Sequence, residues 1–245
     1  MSESQRTSKP PLWSLPEIPR VLPFAVFLVL TSFQGKYFAG SEYWIYGLKT
    51  LVAAGLIWHF KSRLPELKWA ISVPAVVTGI LIAVLWLGLD GRIPSLGELY
   101  DSFNQRITGT VPVPEKPEAP WNSLAFFKDN APLAWIFLAL RVLGRSFVVP
   151  IVEEVFYRSF FYRYIVNPEF STVAHRVWHL RAFLLTSLAF GLSHPGQWCP
   201  AIICGAAYQA LVIRKDRLGD ALVSHGVTNA VISAYAIYTR QWQFT

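Results

Sequence analysis

Apolar runs alternate with short polar connections along most of the chain. The runs fall at about 21–39, 43–60, 70–89, 132–148, 150–166, 182–194, 198–213 and 219–238. Each predicts a helix, and several approach the ~20 residues that ~30 Å of hydrocarbon requires. The cleanest is AISVPAVVTGILIAVLWLGL at 70–89. The runs at 182–194 and 198–213 are short, which suits tilted helices or helices beside a thinned or water-filled region. The pattern predicts an all-α polytopic membrane protein with about eight transmembrane or membrane-embedded helices.

The polar intervals divide the chain. Residues 1–20 form a polar tail with Pro10, Pro11, Pro16 and Pro19. The apolar run after it lacks an A-x-A-like cleavage site and reads as a retained signal anchor. Three N-terminal spans occupy 21–89. A Pro-rich stretch at 90–131, with Pro112, Pro114, Pro117 and Pro120, reads as an irregular loop. Residues 132–240 form the helical block that holds every polar residue singled out below.

Composition supports this division. Hydrophobic residues are 53% and charged residues 15%, well under the ~25% charged of a soluble domain. The net charge of +7 comes from basic residues that flank the apolar runs, so nucleic acid is not an expected partner. Cys199 and Cys204 lack metal or redox spacing and read as buried free thiols. The basic residues around 1–20 and 61–68 favour a cytoplasmic N-terminus. One continuous helix over 132–166 would then place the basic connections 167–181 and 214–218 inside. A break near Pro150 would place them outside and would start a helix close to Glu153. The charge rule prefers the first topology and the site geometry prefers the second, which is the expectation adopted.

The stretch VVPIVEEVFYRSFFYRYI, residues 148–165, sets Glu153, Glu154 and Arg158 inside an apolar run. Each charge at a membrane centre costs roughly 2.5–3.5 kcal/mol. Glu154 and Arg158 are four apart and can pair on one helix face. Glu153 is rotated ~100° away and has no local partner, the profile of a general base or acid. His194 ends an apolar helix directly before Pro195, so a helix terminus or break is expected there. His225 and Asn229 share a face of the last span at i, i+4. A packing ion pair would account for Glu154 and Arg158 alone. It does not account for an orphan carboxylate, two histidines and an amide inside one apolar block. His59 ends a span beside Lys61. His175 and His179 read as polar positions of an interfacial helix.

EEVFYR, FGLSH and HGVTN follow, in order, the EExxxR, FxxxH and HxxxN motifs. The block of about 130–240 therefore resembles the CPBP family: type II CAAX prenyl endopeptidases and bacteriocin-processing, Abi-like relatives. The resemblance implies a glutamate-dependent intramembrane endopeptidase. Glu153 would be the catalytic carboxylate, with Glu154 its neighbour and Arg158 the motif arginine. His194 would help Glu153 activate water, and His225 with Asn229 would stabilise the oxyanion. The family commonly has Phe-Arg-Gly where this chain has Tyr157-Arg158-Ser159. The swap of one small residue for another is expected to alter packing more than chemistry.

No cofactor is expected. The rival within the enzyme class is zinc held by Glu153, His194 and His225, although no H-E-x-x-H is present. Buried Glu, His and Arg would also serve a non-proteolytic bacteriocin-immunity or scaffold role, or a proton-coupled transporter. The polar sites sit in one half of the chain rather than in two related halves, which favours the protease. The expected partners are the lipid bilayer and a membrane-anchored peptide or protein substrate. Compact size without appended domains or a sorting tail points to a bacterial cytoplasmic membrane.

Overall fold

A computed structural model describes residues 11–109 and 120–245, and every regular element in them is helical. Helix α1 spans Ile18–Ser32, α2 Ser41–Phe60 and α3 Val73–Leu89. Between α3 and the next long helix lie an amphipathic helix α4, Leu96–Thr108, and a single turn α5, Ser123–Phe126. The long helix, α6, runs over Ala131–Val166. Then follow α7 at Leu180–Leu192, α8 at Trp198–Lys215 and α9 at Gly219–Thr239.

Each apolar run overlaps one of these helices, although α1 stops at Ser32, and three expectations need correction. The 90–131 stretch is not wholly irregular. Ser95 and Glu98 form a reciprocal capping box that starts α4, and Gly109 ends it at φ 70°. This is a local start and stop signal that proline counting obscured. Pro112, Pro114 and Pro117 lie outside the described residues.

The largest correction concerns Pro150. No break occurs there: α6 is one helix of 36 residues rather than two. Proline removes a backbone donor and crowds the preceding turn. The helix absorbs this with a π-turn over Gly144–Val148, in which Val149 N–H donates to Gly144 O. In that wider register the next donor would come from residue 150, which has none. The carbonyl left free, Arg145 O, instead accepts from Asn229 Nδ2 at 2.8 Å. A second π-turn, Val155–Phe161, follows the two glutamates directly. Such turns concentrate at functional sites. The segment carrying His175 is also not helical apart from a turn at Phe170–Thr172, and His179 caps α7 through Nδ1, which accepts from Ala182 N–H.

α6 and α8 are long and apolar enough to cross a membrane, with only 33% and 44% of their most apolar windows buried. Large apolar side chains, including Leu51, Leu81, Val84, Trp135, Ile136 and Leu184, point outward from the bundle. In water such a belt would be an association surface; in lipid it is the expected exterior. The bundle is that of an integral membrane protein.

Chain direction alternates through the bundle, so the connections gather at two ends. At the first end, Arg20 of α1 pairs with Glu66 of the α2–α3 connection, and Arg176 with Asp216 joins the α6–α7 and α8–α9 connections. At the second end, Gln197 bonds Asp90 and Trp198 bonds the Pro94 carbonyl. α3 packs closely on α9, where a Cβ at Gly79 would lie 2.6 Å from the Ser224 carbonyl. α9 packs as closely on α6, where a Cβ at Gly226 would lie 2.7 Å from Ser146 O. Small residues at these crossings bring His225 up against α6.

Candidate active site

The helical spacing around Glu154 survives the π-turn. Arg158 Nη1 donates to Glu154 Oε1 at 3.1 Å, and both side chains are fully buried. Arg158 Nη2 also donates to Gly205 O of α8 at 3.2 Å. Its guanidinium lies 4.5 Å from the Phe190 ring centre. The arginine thus ties α6, α7 and α8 together around one carboxylate.

Glu154 has a second partner 71 positions away. His225 Nδ1 lies 2.9 Å from the same Oε1. A carboxylate only accepts, so Nδ1 carries the proton and Nε2 turns toward Glu153. Nε2 is 4.0 Å from Glu153 Oε2, too far for a direct hydrogen bond. Tyr208 stacks on the His225 ring with 5.2 Å between centres, and its hydroxyl donates to Thr228 at 2.7 Å. Thr228 donates in turn to the Gly79 carbonyl at 2.9 Å. The imidazole is therefore fixed in plane and tautomer from both sides.

Glu153 differs from its neighbour. It is buried at 9% exposure, and its Oε2 has no hydrogen-bond partner among the described residues. It lies within electrostatic reach of His225, Glu154, Arg158 and Lys49.

His194 sits just beyond the end of α7 with non-helical backbone, φ −122° and ψ 63°, as the following proline requires. Its Nδ1 lies 2.9 Å from Phe190 O, which leaves Nε2 as the basic nitrogen. Phe190 separates the histidines, 4.8 Å from the His194 ring and 6.0 Å from the His225 ring. His194, His225 and Asn229 line one cavity of about 310 Å³. Asn229 spends one amide N–H on Arg145 O and keeps the second. Glu153 is not on the cavity lining, although Val149, one turn before it, is.

All six residues singled out from the sequence thus belong to one region. Glu153, Glu154, Arg158 and His225 are in direct succession, and His194 and Asn229 share the cavity with His225. Among the described residues, no group of three or more His, Cys, Asp or Glu side chains is placed to hold a metal ion. Cys204 is buried on the cavity wall and Cys199 is partly exposed, both as free thiols.

A family model for type II CAAX prenyl endopeptidase Rce1-like proteins matches residues 134–231. The match covers less than half of the chain and agrees with the resemblance carried by EEVFYR, FGLSH and HGVTN. The matched segment contains all six site residues and leaves α1–α5 outside it. Searches of curated proteins and of solved structures found no match.

Three cationic residues of the cavity were not singled out from the sequence: Lys49 of α2 and Arg141 and Arg145 of α6. The signal was present, because each is a charge inside an apolar run. The expectation for Ser159 also needs correction. Its hydroxyl donates to Glu66 Oε1 at 2.5 Å and lies within 3.4 Å of Arg20 Nε and 3.3 Å of Arg163 Nη1. The position contributes polar chemistry, not packing alone.

Proposed function

We propose that the protein is a glutamate-dependent intramembrane endopeptidase of a bacterial cytoplasmic membrane, acting on a membrane-anchored peptide or protein. The observation that carries this reading is the unpartnered Glu153 Oε2 facing His225, whose other nitrogen is held by the Glu154–Arg158 pair. The family match agrees with it.

In this mechanism Glu153 takes a proton from water, and the water oxygen attacks the scissile carbonyl carbon. His194 orients the water through Nε2. The tetrahedral oxyanion accepts from the second N–H of Asn229. It also accepts from Nε2–H of His225 in its charged form, while Nδ1–H stays on Glu154. As the C–N bond breaks, the amine leaves with the proton held by Glu153. No covalent enzyme intermediate forms.

The first end of the bundle carries Arg63, Lys68, Arg176, Arg214, Lys215 and Arg217, and the second end is poorer in basic residues. The charge rule then puts the first end in the cytoplasm. The cavity lies in the opposite half, between Trp86, His194 and Thr245, so the substrate would be met from the outer leaflet.

The test is cleavage of a membrane-anchored peptide library by purified protein, with new termini read by mass spectrometry. Cleavage by wild type but not by Glu153→Gln, indifferent to chelator, supports the reading. Cleavage abolished by chelator would instead make Glu153, His194 and His225 zinc ligands. Cleavage that survives Glu153→Gln would refute the assignment.

A further inference from the structure

The cavity wall beside His225 and Asn229 carries three cations at membrane depth. Lys49 is 5% exposed, and its Nζ donates to Thr31 Oγ1 at 2.9 Å and lies over the Phe27 and Tyr46 rings. Arg141 lies between Tyr46 and Trp121, 4.2 and 5.0 Å from their ring centres, and its Nε is buried without a partner among the described residues. Arg145 donates to the Phe244 carbonyl. None of the three forms an ion pair among the described residues, whereas Arg20, Arg158 and Arg217 each do.

Each charge at this depth costs roughly 2.5–3.5 kcal/mol on insertion. Aromatic faces and neutral oxygens offset part of that. They do not relieve the mutual repulsion that Lys49 and Arg145 both feel from Arg141. Among the described residues, the carboxylate that Lys49 feels is Glu153. Three cations therefore line a cavity of about 310 Å³ on whose wall no Asp or Glu side chain stands among the described residues.

We propose that Lys49, Arg141 and Arg145 form a subsite for a carboxylate of the substrate close to the scissile bond. That carboxylate is either a free chain end or an Asp or Glu side chain. Binding it neutralises the wall and draws the neighbouring peptide bond toward His225 and Asn229. The subsite rests on the peptidase reading for its purpose, but not for its detection. Lys49 lies outside the matched segment 134–231, so the preference depends on the N-terminal helices as well as the family core.

The test separates binding from cleavage. Palmitoylated peptides randomised over their last four positions are synthesised as free acids and as C-terminal amides. They are passed in detergent over immobilised Glu153→Gln protein and the retained species are read by mass spectrometry. A charge-assisted contact predicts that peptides with a carboxylate are retained about tenfold or more over those with none. Acid over amide identifies a chain end. Asp or Glu over Asn or Gln among the amides identifies a side chain. The preference should fall to near unity in Lys49→Met and in Arg145→Gln, each on the Glu153→Gln background. Lys49→Met breaks a single hydrogen bond, so it serves if Arg145→Gln unfolds. Equal retention of both peptide sets, or a preference that survives both substitutions, overturns the subsite. Displacement of the acids by equimolar phosphatidylglycerol would reassign the cations to lipid headgroups and also overturn it. Wild-type cleavage of the same pool is scored separately, so failed catalysis and failed recognition remain distinct.

Discussion

The molecule buries two ionic networks, and they are built differently. At the first end, Arg20 grips Glu66 through Nε and Nη2 at 2.8 and 3.0 Å and donates Nη1 to Pro16 O. Arg163 donates to the carbonyls of Val173, Ser159 and Ser171. Ser159 joins the two arginines to the one carboxylate. In the middle of the bundle, Glu153 Oε2, Glu154 Oε2 and Arg158 Nε have no partner among the described residues. A saturated buried network holds elements together, and a partly satisfied one at low dielectric is costly unless it acts on something. Charge and burial are common to both networks. Hydrogen-bonding capacity left open distinguishes the one read as a reaction centre.

The largest expected effect sharpens this contrast. Glu153→Gln keeps size and most contacts, so its melting temperature should stay within a few degrees of wild type. Hydrolysis should fall about 10²- to 10⁴-fold, the range for loss of a general base. A large loss of stability with proportionate residual activity would make the middle network structural after all.

The mirror experiment is Arg20→Met. It strands Glu66 and should cost about 3 kcal/mol of stability, as for other broken buried pairs. Turnover per folded molecule should be unchanged. Thermal unfolding in detergent alongside single-turnover cleavage checks both halves. A specific loss of turnover would show that the two networks communicate.

Acid should loosen the first end before any other described part of it. Burial, with Arg163 nearby, pushes the His175 imidazole down to about 4 from 6.5. The folded form therefore refuses a proton that the unfolded chain accepts. Stability is complete above about pH 6.5 and is lost as pH falls from there toward 4, by on the order of 2 kcal/mol. Glu66 adds to this at lower pH. Burial pushes its carboxyl up, but Arg20 and the Ser159 hydroxyl outweigh that and hold it below its ordinary value of 4.5. Its contribution is present above 4.5 and disappears below. Unfolding curves across pH 4–7 for wild type and His175→Gln decide it, because the substitution should flatten the upper part of the slope.

The smallest effect is Ser159→Gly, which places at this position the glycine that the motif resemblance leads one to expect. Removing a hydroxyl that bonds Glu66 should cost about 1–2 kcal/mol, read as a shift in melting temperature with cleavage intact. No shift would mean that the Arg20–Glu66 pair suffices alone.

Much of the site was legible because its signals are local. The Glu154–Arg158 pair follows from a spacing of four. The placement of His194 follows from Pro195. The common face of His225 and Asn229 follows from helical repeat. The α4 capping box was equally local, and it was hidden only by the prolines around it. Lys49, Arg141 and Arg145 were visible as intramembrane charges, but their convergence on one cavity was not, since Lys49 stands about a hundred residues from the motif that gives the cavity its chemistry.

The sequence by itself determined an all-helical bundle, most of its helix positions and six candidate residues for a site, because burial in lipid forces backbone pairing within each segment and makes every internal charge conspicuous. Only the tertiary structure decided that Pro150 leaves α6 unbroken. A π-turn and the amide of Asn229, 84 positions from the carbonyl it serves, supply what proline removes. Only the tertiary structure joined His225 to Glu154 and Ser159 to Glu66, 71 and 93 positions apart. Hydrogen-bond partners at that separation leave no periodicity in the chain, and their meeting depends on how closely whole helices approach.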